Sequence, residues 1–545
     1  MAELKIVFRL RFAVALTLAL TLALAVSARD AWSAEYVVQM DARSAPTEGA
    51  ALVERLGGRV TSPQLDVING FGASLDPEDA AKLEGSPGVR AVSPNAGVMT
   101  SSHRTDEDTS GGYRCERADS TTRRARRPKT RYTQQPELHP LASVARLAQP
   151  LQHAVKADRA WRRVTGSGVG VAVMDTGIAG DLPDFRDPED PEVSRVVASA
   201  VTNPCASNAT DHFGHGTHVA GLIAGNSLHN PDHHRGRYMG IAPDAHLISV
   251  KTSDDDGNTT VLDVIYGIQF AVEHRERFGI RVINLSLSST VAESYLTDPL
   301  NAAVESAWLS GIVVVAAAGN AGTSSDAVSY APGNDPFVIT AGSTDDGETW
   351  RSSDDVLAPW SSRGLTQDGV PKPEVLAPGV HLVGALAPRS DFTDLCRACV
   401  VNARYFRVSG TSMSAAVVSG VAALMLEAHP DWSPDQVKGA MVATLHDMPG
   451  AGGAVDAAAA LDGSGLANAG LVPSPLVSPE TGEIDWSRAS FRRASFRDAD
   501  GSPLDASWSR ASFRCDCSLL ESGEVDPSRS SFRAAGFQRT TEFEE

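Results

Sequence analysis

The chain has 545 residues, too many for one compact core, and its 42% hydrophobic content is ordinary for folded domains. A formal net charge of -19 argues against a nucleic-acid-binding protein and for a soluble, self-repelling surface.

At the N-terminus, Lys5, Arg9 and Arg11 precede an apolar run over 12–26. That run has the length of an export signal and is short for a bilayer span. Val26-Ser27-Ala28 supplies a cleavage site, with Ala34 as second choice, so 1–28 is expected to be a signal peptide. The mature protein is then secreted, with no membrane span, and its disulfides are permitted.

Residues 36–98 read as a small α+β domain. A strand opens at Tyr36-Val37-Val38, a helix is expected at 50–56, and a strand at 70–73. A second helix follows at 79–83 and a strand at 88–92. Residues 99–150 are polar, with the basic run R-R-A-R-R-P-K-T-R at 123–131, and read as a flexible linker open to nicking.

The pattern changes over 151–462. Near-continuous apolar runs at 169–174, 246–250, 282–287, 312–318 and 337–341 predict strands buried on both faces. Helices are expected between them, at 259–274, 296–309 and 412–428. This alternation predicts an α/β domain with a parallel sheet flanked by helices. Sites in such folds form outside the carboxyl ends of strands, where Asp175 and Asn320 fall.

Residues 463–545 carry W-S-R-A-S-F-R at 486–492 and 508–514, R-A-S-F-R at 493–497 and R-S-S-F-R at 529–533. The repeats are too short and polar to build a core, so a disordered tail is expected, with a docking segment as the alternative. Cys396 and Cys399 form C-x-x-C, and Cys515 and Cys517 form C-x-C. Local disulfides or free thiols suit these spacings better than zinc.

Three motifs carry chemistry: V-A-V-M-D-T-G-I around Asp175, G-H-G-T-H-V-A-G around His215, and S-G-T-S-M-S around Ser412. A serine hydroxyl is a poor nucleophile until a base takes its proton. An imidazole serves as that base when a carboxylate fixes its tautomer and stabilises the imidazolium. An aspartic-peptidase reading of D-T-G fails, because those enzymes need a second such loop and the chain has no other D-T-G or D-S-G. His212, His215 and His218 recur every three residues, but the H-E-x-x-H zinc pattern is absent. Ser409 and Ser414 remain alternatives to Ser412 on residue type alone.

These motifs, with Ala316-Ala317-Ala318-Gly319-Asn320 and K-P-E-V-L-A-P-G at 372–379, resemble those of the subtilisin-like serine peptidases, or subtilases. The resemblance covers roughly 151–461 and extends to 36–98, which look like the family's inhibitory propeptide. It implies Ser412 as nucleophile, His215 as base, Asp175 as its orienting carboxylate and Asn320 as the oxyanion-hole side chain. It leaves His218 as a packed neutral histidine. It further implies that Ser286, Leu287 and Ser288, with Ala317, Ala318 and Gly319, line the primary specificity pocket, and that Gly257, Asn258 and Thr259 form an edge for extended substrate.

Ala416 stands where the family usually has proline, which bears on helix packing and not on the chemistry. Ser288 stands where many relatives have glycine, and an apolar residue before the scissile bond is expected. No cofactor is required for the chemistry. Structural calcium is common in the family, and Asp181, Asp184, Asp187, Glu189 and Asp190 are oxygen-rich, but they lack a complete loop signature and read as solvated acidic surface. The expected partners are polypeptide substrates and the chain's own propeptide. A secreted endopeptidase made as a precursor is the resulting expectation. A restricted processing peptidase and a non-catalytic scaffold using the repeat tail are its rivals.

Overall fold

The computed structural model describes residues 34–41, 44–100, 146–231, 233–448, 452–474 and 497–498. The expected signal peptide and nearly all of the linker and repeats lie outside the described residues, as do Cys515 and Cys517. The described chain forms two compact units.

The first unit is a four-stranded antiparallel sheet ordered β2-β3-β1-β4, built from β1 (Ala34–Met40), β2 (Arg59–Leu65), β3 (Gly70–Leu75) and β4 (Val89–Pro94). The helices Pro46–Arg55 and Pro77–Glu84 each open on a proline, whose fixed φ suits the first helical turn. Asp76 caps the second by accepting from the Glu78 N–H at 2.9 Å. Val38, Met40, Val53, Phe71, Leu75 and Leu83 close the core. β2 was not legible in the sequence because R-V-T-S-P-Q-L is polar and holds Pro63. At the sheet's edge a proline removes no ladder bond that a neighbour needs.

The second unit is built on an 11-stranded sheet. Its parallel centre runs β7 (Val196–Val201), β8 (His246–Lys251), β6 (Gly170–Asp175), β10 (Ile280–Leu285), β12 (Val313–Ala317), β13 (Ile339–Asp345) and Val375–Pro378. The strands lead away from β6 in one direction to β7 and β8, and in the other from β10 onward. The carboxyl end of β6 is therefore a topological switch point, where Asp175 stands. β6, β12 and Val375–Pro378 are buried along their whole length, which accounts for their unbroken apolar sequence.

The helix Val261–Glu273 starts with a reciprocal capping box between Thr260 and Asp263. The helix Thr411–Ala428 packs against β10, β12 and β13 and is buried almost throughout. Its small residues permit that closeness: a Cβ on Gly420 would meet Ile241 Cβ at 2.5 Å. By length and composition alone this helix passes for a membrane span, contrary to the expectation that only the N-terminal run would, but 89% of it is buried, as a core helix is.

One finding departs from the expected linker. Residues 99 and 100 are the end of a strand, β5 (Gly97–Thr100). β5 forms the middle of a separate antiparallel sheet between β9 (Thr259–Thr260) and β11 (Leu287–Ser289). No apolar run marks β5, because its backbone partners come from far along the chain. Between Leu382–Ala385 and Tyr405–Val408, which pair antiparallel, the chain makes an excursion that holds a Cys396–Cys399 disulfide across a single turn. Cys205 is also disulfide-bonded. Among the described residues no group of three His, Cys, Asp or Glu could hold a metal.

Candidate active site

Asp175 ends β6, and His215 is the first residue of the helix His215–Ala224. Gly214 precedes that helix at φ 108°, a left-handed conformation that favours glycine. Asp211 fixes the helix start. Its Oδ1 accepts from the Gly214 N–H at 2.7 Å and the Thr176 hydroxyl at 2.8 Å. Its Oδ2 accepts from the Thr217 N–H at 2.8 Å and the Thr217 hydroxyl at 2.6 Å. Thr176 Oγ1 in turn accepts from the Gly216 N–H at 2.9 Å, tying the β6 end to the helix. Burial raises the Asp211 carboxyl above the usual carboxylate range, and these four hydrogen bonds oppose the rise.

This scaffold brings His215 Nδ1 to 2.8 Å from Asp175 Oδ1 and 2.9 Å from Oδ2. Both side chains are buried, and Asp175 Oδ1 also accepts from the Thr176 N–H at 2.8 Å. A carboxylate so held makes Nδ1 the protonated nitrogen and leaves Nε2 as the acceptor.

Ser412 lies in the first turn of Thr411–Ala428, after Gly410. The hydroxyl does not bond His215. It donates to the Ser286 carbonyl at 3.0 Å, while His215 Nε2 has no hydrogen-bond partner among the described residues. The unbroken line of three groups expected from the sequence is therefore open at its last link. A hydroxyl on a free rotor takes whichever acceptor is at hand, and catalytic hydrogen bonds commonly tighten only with substrate present.

The rival hydroxyls are committed elsewhere. Ser409 Oγ accepts from the His381 N–H at 2.9 Å, and Ser414 Oγ donates to the Ala377 carbonyl at 3.0 Å. His212 stands apart from Asp175, with its Nε2 4.0 Å from Asp255. His218 is buried, with Nε2 3.0 Å from the Phe406 carbonyl, and burial pushes its imidazole down to about 3. The unfolded imidazole binds its proton near 6.5, so between about 3 and 6.5 the unfolded state holds more protons and stability falls as pH falls. His218→Gln is accordingly expected to lose less thermal stability than wild type between pH 7 and pH 4. Equal losses in a melting series across that window would exclude the effect.

Asn320 follows the carboxyl end of β12. Its Oδ1 accepts from the Thr411 N–H and from the Thr411 hydroxyl, each at 3.1 Å, and Thr411 Oγ1 accepts from the Gly319 N–H at 3.1 Å. With the oxygen so occupied, the Asn320 amide N–H groups turn toward other acceptors. Sequence reading missed Asp211, Thr176 and Thr411. The aspartate four residues before His215, and the threonines next to Asp175 and Ser412, were the available signals.

The expected binding residues fall into different settings. Leu287 and Ser288 lie in β11, paired with Thr100 and Met99. Ser286 joins β10 to β11, and its hydroxyl donates to the Ser412 carbonyl at 2.9 Å, so it is tied to the Ser412 helix as well as to the strand. Ala317 ends β12, and Ala318 and Gly319 continue from it, Gly319 at φ 97°. Gly257 has φ 88° and would bring a Cβ within 3.0 Å of the Phe213 ring, while the Asn258 N–H bonds the Asp254 carboxylate at 2.8 Å. The residues of the acidic stretch fall into different settings. Asp184 is buried, accepting from the Tyr405 hydroxyl at 2.8 Å and Asn230 at 3.0 Å. Asp187 Oδ1 takes the backbone N–H groups of Glu189 and Asp190, and Asp181 points to Arg186. Asp184 thus departs from the solvated acidic surface expected of this stretch, its carboxylate being buried and held by two donors.

A carboxylate-bound histidine at a switch point, in a domain that also presents a serine at a helix start and an amide after a neighbouring strand end, is consistent with a serine-hydrolase site. Comparison with known proteins agrees. The chain belongs to the subtilase family, whose model matches residues 166–465. Serine protease AprX of Bacillus subtilis (strain 168) is 38% identical over 296 residues, 53% of this chain and 64% of AprX. The chain thus spans less than two thirds of that relative. Subtilisin DY of Bacillus licheniformis is 32% identical over 297 residues, 54% of this chain and 90% of the relative. The crystal structure of fervidolysin from Fervidobacterium pennivorans matches with a TM-score of 0.56 at 23% identity, covering 79% of this chain and 61% of that one, which supports a shared fold.

Proposed function

We propose that the chain is an exported serine endopeptidase that hydrolyses peptide bonds through Ser412, His215 and Asp175 and is made as a propeptide-inhibited precursor. The observation that carries this reading is the buried Asp175–His215 pair, at 2.8 and 2.9 Å, with an unpartnered Nε2. In the reaction Ser412 Oγ turns from the Ser286 carbonyl, gives its proton to His215 Nε2 and attacks the substrate carbonyl carbon. Asp175 holds the imidazolium, which then passes the proton to the leaving amine. Water enters by the reverse route and cleaves the acyl-enzyme. The Asn320 amide and the Ser412 N–H donate to the oxygen that becomes negative. No metal or cofactor takes part in these steps.

Asn320→Ala is expected to lower kcat by about 10²–10³-fold with little change in KM, because the lost hydrogen bond strengthens only in the transition state. A parallel rise in KM in steady-state peptide hydrolysis would instead make Asn320 a ground-state binding residue.

Substrate is proposed to bind as an added strand on β9 and β11, with Gly257 and Asn258 at one rim and Ala317, Ala318 and Gly319 near the residue before the scissile bond. Support comes from β5, a segment of the chain itself that pairs with both strands in extended form. The same pairing supports reading 36–98 as an inhibitory propeptide whose continuation occupies the substrate edge. Expression of wild type and Ser412→Ala, followed by mass spectrometry of their N-termini, tests this. Wild type should lose its N-terminal region and the variant should accumulate as the precursor. Identical processing of the two would remove self-maturation from the proposal.

A further inference from the structure

The excursion at 386–404 returns to the segment just before His215. The Asp391 N–H donates to the His212 carbonyl at 2.9 Å, and the Phe392 N–H to the Phe213 carbonyl at 3.2 Å. These bonds set the Phe392 ring edge-to-face with the His215 imidazole, at a centroid distance of 6.3 Å and an interplanar angle of 84°. Phe392 is 4% exposed and packs with Phe213, Phe406, Leu386 and Cys396. The fit is close on the helix side too: a Cβ on Gly214 would meet Phe392 Cγ at 3.0 Å. The Cys396–Cys399 disulfide cross-links the turn that follows Phe392–Leu395, and the Cys396 N–H bonds the Phe392 carbonyl at 3.1 Å.

Asp175 grips His215 at Nδ1 only, and a ring held at one nitrogen retains freedom to swing its other end. The far nitrogen is the one the chemistry needs, and among the described residues it has no hydrogen bond to steady it. A second constraint must therefore come from packing, and the edge-to-face contact of a buried, backbone-anchored aromatic ring supplies it. We infer that Phe392, carried on the excursion at 386–404, is a positioning residue that holds the His215 imidazole in line with Ser412. This rests on the reading of His215 as the catalytic base.

Phe392→Leu keeps an apolar side chain but removes the ring plane. It is expected to lower kcat about tenfold, with KM within about twofold of wild type, since misaligned proton transfer costs turnover and not binding. The rate of labelling by a fluorophosphonate, which needs the same proton transfer, should fall by the same factor. A kcat within twofold of wild type, or a KM that rises as kcat falls, would make Phe392 a packing residue only and overturn the inference. Should Phe392→Leu not accumulate as folded protein, Cys396→Ser with Cys399→Ser decides in its place. It releases the cross-linked turn next to the Phe392 helix without changing the ring, and the same drop in kcat at constant KM is expected. His215→Ala separates the two levels. If it keeps wild-type turnover, the proposed catalytic mechanism fails. If it is inactive while Phe392→Leu is unaffected, only the positioning role fails.

Discussion

Ser412→Ala is expected to reduce peptide-bond turnover on the order of 10⁵–10⁶-fold, the size of nucleophile deletions in related serine peptidases. Once freed of its N-terminal region by wild-type enzyme added in trans, the variant should keep its affinity for an extended peptide, because the proposed substrate edge is the backbone of β9 and β11 and not the Ser412 side chain. It should also fold. The hydroxyl makes one hydrogen bond, to the Ser286 carbonyl, whose loss costs about 1 kcal/mol against the several that a buried helix contributes. Turnover in the matured protein, measured with peptide binding to the variant, separates the outcomes. A variant that binds and turns over normally would assign the chemistry to another residue.

Asp175→Asn is expected to cost about 10⁴-fold in kcat while leaving the fold in place. Asp175 accepts from His215 Nδ1 with either oxygen and from the Thr176 N–H. An amide of the same shape presents an N–H toward Nδ1, which favours the tautomer with its proton on Nε2. The base then has no lone pair facing Ser412. Geometry survives, proton transfer does not, and KM should move little. Kinetics of this variant beside its melting curve decide the point: a loss of activity matched by a loss of folded protein would make Asp175 a structural residue.

Much of the site was legible because its residues sit where local signals are strong. Asp175 and Asn320 follow apolar runs that can only be buried strands, and His215 and Ser412 open helices flanked by glycine. The substrate edge was harder. β5, β9 and β11 are short, polar and joined by residues far apart in sequence, so no period reveals them. β2 was hidden by a proline that only an edge position excuses. Phe392 lay beyond reach for a different reason. Its place next to His215 exists only once distant segments have met, and a phenylalanine in a loop announces nothing by itself. The open Ser412–His215 link depends on a hydroxyl rotor, which sequence does not encode.

The most direct test labels the protein with a fluorophosphonate and locates the adduct by peptide mass spectrometry, in wild type and in His215→Ala, the variant first being freed of its N-terminal region by wild-type enzyme added in trans and then separated from it. The adduct should sit on Ser412 alone in wild type and be nearly absent in His215→Ala. An adduct on Ser409 or Ser414, or equal labelling of Ser412 in the two proteins, would contradict proton transfer from Ser412 to His215.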